Sequence, residues 1–181
     1  HSIATSSFAL YAGAKEVKEA VEAGDVSLPF VQKARTGGYD GQGVAVIRDA
    51  ADLEEKILDV PCVVEPLVDI DKELAVIVTR NPSGELRVFP TVEMEFHPTA
   101  NLVEFLICPA AIDADTDARA AALARTVAEK MDVVGLLAVE LFLTKTGEIL
   151  VNEVAPAAHH PAHPTRAACM PIHYEQHHRP I

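Results

Sequence analysis

The chain has 181 residues, enough for one domain or a compact pair of lobes. Its 49% hydrophobic and 23% charged residues are a globular balance and exclude a disordered chain, while no apolar run reaches the roughly 18 residues a membrane span needs. A net charge of −12, from 27 acidic and 15 basic residues with no basic stripe, argues against nucleic acid as a partner.

Residues 13–24 place Val17, Ala20 and Val21 on one helical face and end at a glycine. Leu28 to Arg35 reads as a strand, followed by the glycine-rich loop Thr36 to Gly43 (TGGYDGQG) and a second apolar run, Val44 to Ile47. Asp49 is placed to cap a short helix over Ala50 to Leu58. Val63 to Glu65 is a short strand interrupted at Pro66. Glu73 to Arg80 is a longer one, turning through Asn81-Pro82-Ser83-Gly84 into a partner that starts near Glu85. Val88 to His97 alternates polar and apolar, and Leu102 to Cys108 is a further strand. The alanine-rich stretch Asp115 to Met131 predicts an amphipathic helix. Gly135 to Leu143 and Glu148 to Ala155 predict a hairpin around Thr146-Gly147. The tail from Pro156 has five prolines, no clean period, and six of the eight histidines. Short turns between most strands predict a largely antiparallel α+β fold and disfavour a doubly wound parallel sheet. Three separated cysteines (Cys62, Cys108, Cys169) read as buried thiols of a reducing, cytoplasmic setting, and no basic-then-apolar leader opens the sequence.

Three constellations carry chemistry. The loop TGGYDGQG lacks the lysine and following helix of a Walker loop, and a dinucleotide fingerprint also leads into a helix. It reads either as a flexible flap whose N–H groups fold over phosphates, with Lys33 on the entering strand, or as a plain hairpin loop. In the second, a two-residue turn at Thr146-Gly147 sets Lys145 opposite Glu148, Phe142 opposite Val151, Leu141 opposite Asn152 and Glu140 opposite Glu153. Facing Cβ atoms lie about 5 Å apart. Two carboxylates there repel by about 3 kcal/mol at an effective dielectric near 20. A divalent cation, with Asn152 as a further oxygen ligand, relieves this; so does a shared proton, and a one-residue slip would split the glutamates between faces. Third, the strand leading to Glu65, Pro66, Leu67 and Val68 precedes Asp69, Asp71 and Glu73. Backbone groups there would read an adenine edge and a carboxylate would hold ribose hydroxyls, unless the stretch is a solvated acidic loop.

QKARTGGYDGQG, VVEPLVDIDKELAVIV, GLLAVELFLTKTGEILVNEVAP and, faintly, YEQH, in this order, resemble the ATP-grasp superfamily. More narrowly they resemble the 5-(carboxyamino)imidazole ribonucleotide synthases of purine biosynthesis. The resemblance implies an α+β ATP-grasp fold of mostly antiparallel sheets with flanking helices, its two lobes around a nucleotide cleft. A small lobe with the flap would span 1–68 and a large lobe with the metal hairpin 69–181, without the family's N-terminal pre-ATP-grasp domain and C-terminal subdomain. It implies ATP and Mg2+ as cofactors and bicarbonate and aminoimidazole ribonucleotide as substrates, with no nucleic acid, no membrane, and a homodimer when full length. Carried over, Lys33 contacts the phosphates and Gly38, Gly41, Gln42 and Gly43 belong to the flap. Glu65, Pro66, Leu67 and Val68 form the adenine hinge, Glu73 holds the ribose, and His97 lies near the nucleotide. Glu140 and Glu153 ligate magnesium beside Asn152, and Tyr39 and Asp40 face the substrate. Gln42 stands where the family has a basic residue, and Ala157 where it has a substrate-binding arginine. Other carboxylate–amine ligases of the superfamily are an alternative, which GGYDG disfavours. A histidine-rich metal-binding protein is another, from the spacing of His159/His163 and His173/His177.

Overall fold

The computed structural model describes residues 3–37, 43–96 and 103–156. The chain divides into two compact units. One is Ser6–Asp69; the other begins at Ile70 and also takes in the residues before Ser6. The first five residues, expected in the smaller lobe, thus belong to the larger unit, and the boundary lies one residue later than the sequence suggests.

The smaller unit contains β1 (Ala9–Tyr11), α1 (Ala14–Ala23), β2 (Phe30–Ala34), β3 (Val44–Ile47), α2 (Ala50–Glu55) and β4 (Cys62–Pro66). Its strands form one sheet in the order β1-β4-β2-β3, antiparallel throughout. Alternation sorts the strands. Phe30, Gln32, Ala45, Ile47, Cys62 and Val64 are buried, and their apolar members form one core with Val17 and Ala20 of α1 and Val26. α1 stops at Gly24, whose φ of 82° is the left-handed turn that favours glycine. β1 has only three residues and no alternating signal, and the sequence gives no notice of it.

α2 is shorter than the expected Ala50–Leu58, ending at Glu55. The buried Gln32 explains the early stop. Its side-chain amide donates to the Leu58 carbonyl and accepts from the Leu58 amide, both at 2.8 Å. It also lies 3.2 Å from Cys62 Sγ. A side chain here satisfies backbone groups as a neighbouring strand would.

The larger unit contains β5 (Ile70–Arg80), β6 (Leu86–Val88), β7 (Val92–Phe96), β8 (Val103–Ile107), α3 (Ala114–Lys130), β9 (Gly135–Thr144) and β10 (Ile149–Pro156). The sheet runs β10-β9-β5-β7-β8, with β6 also paired to β5. Every pairing among these six strands is antiparallel, as expected. α3 is capped by Asp113, whose carboxylate accepts from the Thr116 amide at 2.9 Å. Ala120, Ala124, Val127 and Ala128 repeat at helical spacing and pack on Leu74, Val76, Val78, Leu137, Val139 and Leu141. The small alanines let the helix lie close to one face of the sheet; the opposite face carries the acidic residues described below.

Cys62 is buried, but Cys108 is exposed, against the expectation. It follows β8, which among the described residues is the outermost strand on that side of the larger sheet. Cys169 lies outside the described residues.

Replacing Gln32 by leucine keeps the volume but strips Leu58 of both partners. Urea unfolding should show the smaller unit destabilised by about 1–3 kcal/mol, the cost of two part-buried backbone groups left without their protein partner.

Candidate nucleotide and metal site

In the larger unit, register decides which side chains share a face. On β5 Glu73 lies opposite Phe142 of β9 and Met94 of β7, and Ala75 lies opposite Glu140. Across the terminal hairpin, Glu140 lies opposite Glu153. Glu73, Glu140, Phe142, Met94 and Glu153 therefore occupy the face away from α3. Glu140 and Glu153 are direct cross-strand neighbours, and Glu73 is diagonal to Glu140.

The glutamate pair forms as the sequence predicts, but by a different route. The Thr144 amide donates to the Glu148 carbonyl at 2.9 Å, so three residues, Lys145, Thr146 and Gly147, make the turn. Gly147 takes the left-handed φ of 82° that such a loop needs at its last position. Near the turn the pairing is one residue off the two-residue expectation. Phe142 faces Leu150 rather than Val151, and Leu141 faces Val151 rather than Asn152. Lys145 belongs to the turn and is not a ladder partner of Glu148. A bulge between Val151 and Glu153 then absorbs Asn152 and restores the Glu140–Glu153 pairing. The core requires this irregularity: Val151 and Val154, three apart, both pack against the cluster under α3. β5 has a matching irregularity between Ile70 and Lys72, just before Glu73. Sequence alone does not pair β5 with β9, so the proximity of Glu73 to the other two glutamates has no local signal.

Electrostatics follow from the placement. Glu140 is 6% exposed. Burial pushes its carboxyl up to about 7, and the charge of Glu153 adds to the shift. Burial likewise pushes Glu73 up to about 7, with further contributions from Glu140 and Glu153. These are hard oxygen donors, close together and of one sign, which is the donor chemistry magnesium takes. Among the described residues no group of three or more His, Cys, Asp or Glu is arranged to hold a metal by itself. A two-carboxylate clamp fits magnesium when phosphate and water complete the shell. On the α3 side of the same sheet, Lys72 pairs with the buried Glu93, which also accepts from the Ala111 amide at 3.1 Å. That ion pair was not foreseen, and it ties β5 and β7 to the segment leading into α3.

In the smaller unit, β2 again divides its faces. Val31 lies opposite Val46 and Glu65, and Lys33 opposite Val44 and Val63. This face, away from the core, is a half-exposed apolar surface with one ion pair, Lys33 Nζ to Glu65 Oε2 at 3.0 Å. β4 continues through Pro66, which pairs with Phe30, rather than breaking there as expected. β1 pairs only with Cys62–Val64, so it does not flank β4 at Glu65 and Pro66. Of the expected hinge, the Leu67 amide donates inward to the Pro29 carbonyl at 3.2 Å and is not available to a ligand; Val68 is half-buried. Gly43 closes the loop, its carbonyl accepting from the Ala34 amide at 2.7 Å, with a φ of 84°. Gly38, Tyr39, Asp40, Gly41, Gln42, His97, Ala157 and the tail histidines lie outside the described residues.

The sequence matches the ATP-grasp domain family over residues 1–173. The chain belongs to the ATP-grasp family. Its antiparallel α+β architecture is the ATP-grasp fold. It is 40% identical over 169 residues to the N5-carboxyaminoimidazole ribonucleotide synthase of Bacillus subtilis, covering 92% of this chain and 43% of that protein. A crystal structure of an N5-carboxyaminoimidazole ribonucleotide synthetase as its ADP complex superposes with a TM-score of 0.90 at 38% identity, covering 99% of this chain and 47% of the other. The carboxyaminoimidazole ribonucleotide synthase of Aspergillus clavatus, solved with ATP, gives 0.88 at 26% identity, covering 98% and 47%. This ATP-grasp chain thus spans less than half the length of the relatives it matches. No helix among the described residues is long and apolar enough to cross a membrane.

The raised carboxyls fix a pH dependence. Between about pH 4.5 and 7 the folded chain keeps protons that the unfolded chain has released, so stability falls as pH rises through that window. Without divalent cations, Glu140→Gln should raise stability at pH 8 by about 2–3 kcal/mol and change it little at pH 4. Urea midpoints at the two pH values check this.

Proposed function

We propose that this chain is the ATP-binding part of an enzyme that carboxylates 5-aminoimidazole ribonucleotide with ATP and bicarbonate. The carrying observation is the facing pair Glu140 and Glu153, with Glu73 beside it, on the sheet face opposite α3 in a chain of the ATP-grasp family. ATP transfers its γ-phosphoryl group to bicarbonate, giving ADP and carboxyphosphate. The carboxyl group then passes to the exocyclic amine of the ribonucleotide, which loses a proton, and phosphate leaves.

Phosphoryl transfer asks a protein for positioning and charge neutralisation more than for covalent help. In this reading Val31, Val46 and Val63 shelter the base. The outer edge of β4 at Glu65 and Pro66 offers backbone groups to the adenine edge, while Leu67 takes no direct part. Lys33, exchanging part of its interaction with Glu65, lends its charge to the phosphates. Glu73 accepts hydrogen bonds from ribose hydroxyls. Glu140 and Glu153 hold magnesium, with Asn152 adjoining, and magnesium when bound offsets the negative charge of the phosphates. Tyr39 and Asp40 serve the substrate side, and the flap from Gly38 to Gly43, including Gly41 and Gln42, excludes water from the short-lived carboxyphosphate. His97 lies near the nucleotide. In the full-length protein the assembly is a homodimer.

The test is calorimetric. The chain should bind ADP in a magnesium-dependent manner. Glu153→Gln should weaken that binding at least tenfold while leaving thermal unfolding within a few degrees, since losing one ligand to a charged centre costs about 1.5–3 kcal/mol. Absence of ADP binding at millimolar nucleotide with magnesium present would remove the reading.

A further inference from the structure

Residues 3–5 lie along the outer edge of β10. The Val151 amide donates to the Ala4 carbonyl at 2.8 Å, and Thr5 Oγ1 donates to the Val151 carbonyl at 2.8 Å. Thr5 and Val151 form a parallel bridge. On its inner side Val151 pairs with Leu141, and it is the last residue before the ladder shifts.

The core alone does not settle which residue is the extra one. Val151 and Val154 both pack toward α3, and that needs one unpaired residue between them. Either Asn152 or Glu153 would satisfy it. If Glu153 were extra, Asn152 would face Glu140 and the carboxylate pair would be lost. The repulsion between two facing carboxylates favours that alternative whenever both are ionised and no cation is present. An edge strand with open outer groups is also where register slips most readily. The Val151 carbonyl belongs to the peptide plane that leads into Asn152. With its amide and carbonyl both held outward, Val151 is kept opposite Leu141, and the shift in the ladder starts only after it, at Asn152.

We infer that Thr5 is a positioning residue: with Ala4 it pins Val151 and thereby fixes the bulge at Asn152 that keeps Glu153 opposite Glu140. What the pair then binds rests on the magnesium–nucleotide reading above; how the pair is held does not.

Thr5→Val keeps the β-branched shape and removes the hydroxyl, and Thr5→Ser restores it. Two measurements on the whole chain decide the matter. The first is the cross-strand nuclear Overhauser contact between the backbones of Glu140 and Glu153, without metal or nucleotide. It should be lost or much weakened in Thr5→Val and present in Thr5→Ser. The second is the magnesium concentration at half-maximal ADP binding. It should rise about three- to tenfold in Thr5→Val, the size of one net hydrogen bond, and stay near the original in Thr5→Ser. A Thr5→Val chain that keeps both the contact and the magnesium dependence overturns the inference. So does a uniform loss of stability with the contact intact. Should the unsubstituted chain bind no ADP with magnesium, the nucleotide reading falls by itself. The contact then decides alone: loss in valine with return in serine supports the inference, and retention in valine overturns it.

Discussion

Like-charge repulsion between a buried carboxylate, Glu140, and an exposed one facing it, Glu153, is the constraint around which the larger unit is built. Glu140 is nearly inaccessible to solvent and faces Glu153, with Glu73 on the diagonal. At an effective dielectric near 20, a pair of unit charges about 5 Å apart costs about 3 kcal/mol. The opposite face offsets this. There the alanines of α3 and the leucines and valines of β5 and β9 form a continuous apolar layer. Each large side chain buried there contributes about 1.5–3 kcal/mol. The α3 side carries the main core; the other side has small apolar clusters around Ile77, Leu136 and Ala138 and around Ala75, Val92 and Met94, and beside them the acidic arrangement that only a proton or a cation relieves.

The smaller unit divides its sheet in the same way, with different chemistry. Its covered face is apolar apart from Gln32, whose amide completes the hydrogen bonding of Leu58. Its other face is apolar too, but half-exposed and punctuated by the Lys33–Glu65 pair. Both units thus keep a packed face for folding and a second face with surplus chemistry.

Local signals in the sequence were sufficient for α3, for the strands around the glycine-rich loop and for the terminal hairpin. An apolar run, an alternating pattern or a helical period marks each of them, and caps or turns mark their ends. Non-local facts were not legible. The pairing of β5 with β9 joins residues some 65 positions apart, so nothing near Glu73 announces Glu140. The hairpin is the instructive case. Thr146-Gly147 suggested a two-residue turn, yet Thr144 and Glu148 close a three-residue one. The resulting one-residue offset is cancelled at Asn152, because Val151 and Val154 must both reach the core. The paired glutamates were inferred correctly although neither the turn nor the bulge was. α2 ended early for a comparable reason: a buried glutamine on another strand claimed its expected last residue.

The bulge at Asn152 has a consequence for how this chain tolerates change in length. Most strand positions absorb a substitution at the cost of one side chain. A site built on an extra residue responds differently to a deletion. Removing Asn152 leaves every acidic residue in the sequence and straightens the strand: Val151 stays opposite Leu141, Glu153 opposite Glu140 and Val154 opposite Val139, in plain alternation. Removing Glu153 instead keeps Val151 and Val154 in the core but puts Asn152 opposite Glu140, and the carboxylate pair is gone. The acidic face of this sheet therefore tolerates loss of the spare residue and depends on which of the two residues between Val151 and Val154 takes the place opposite Glu140.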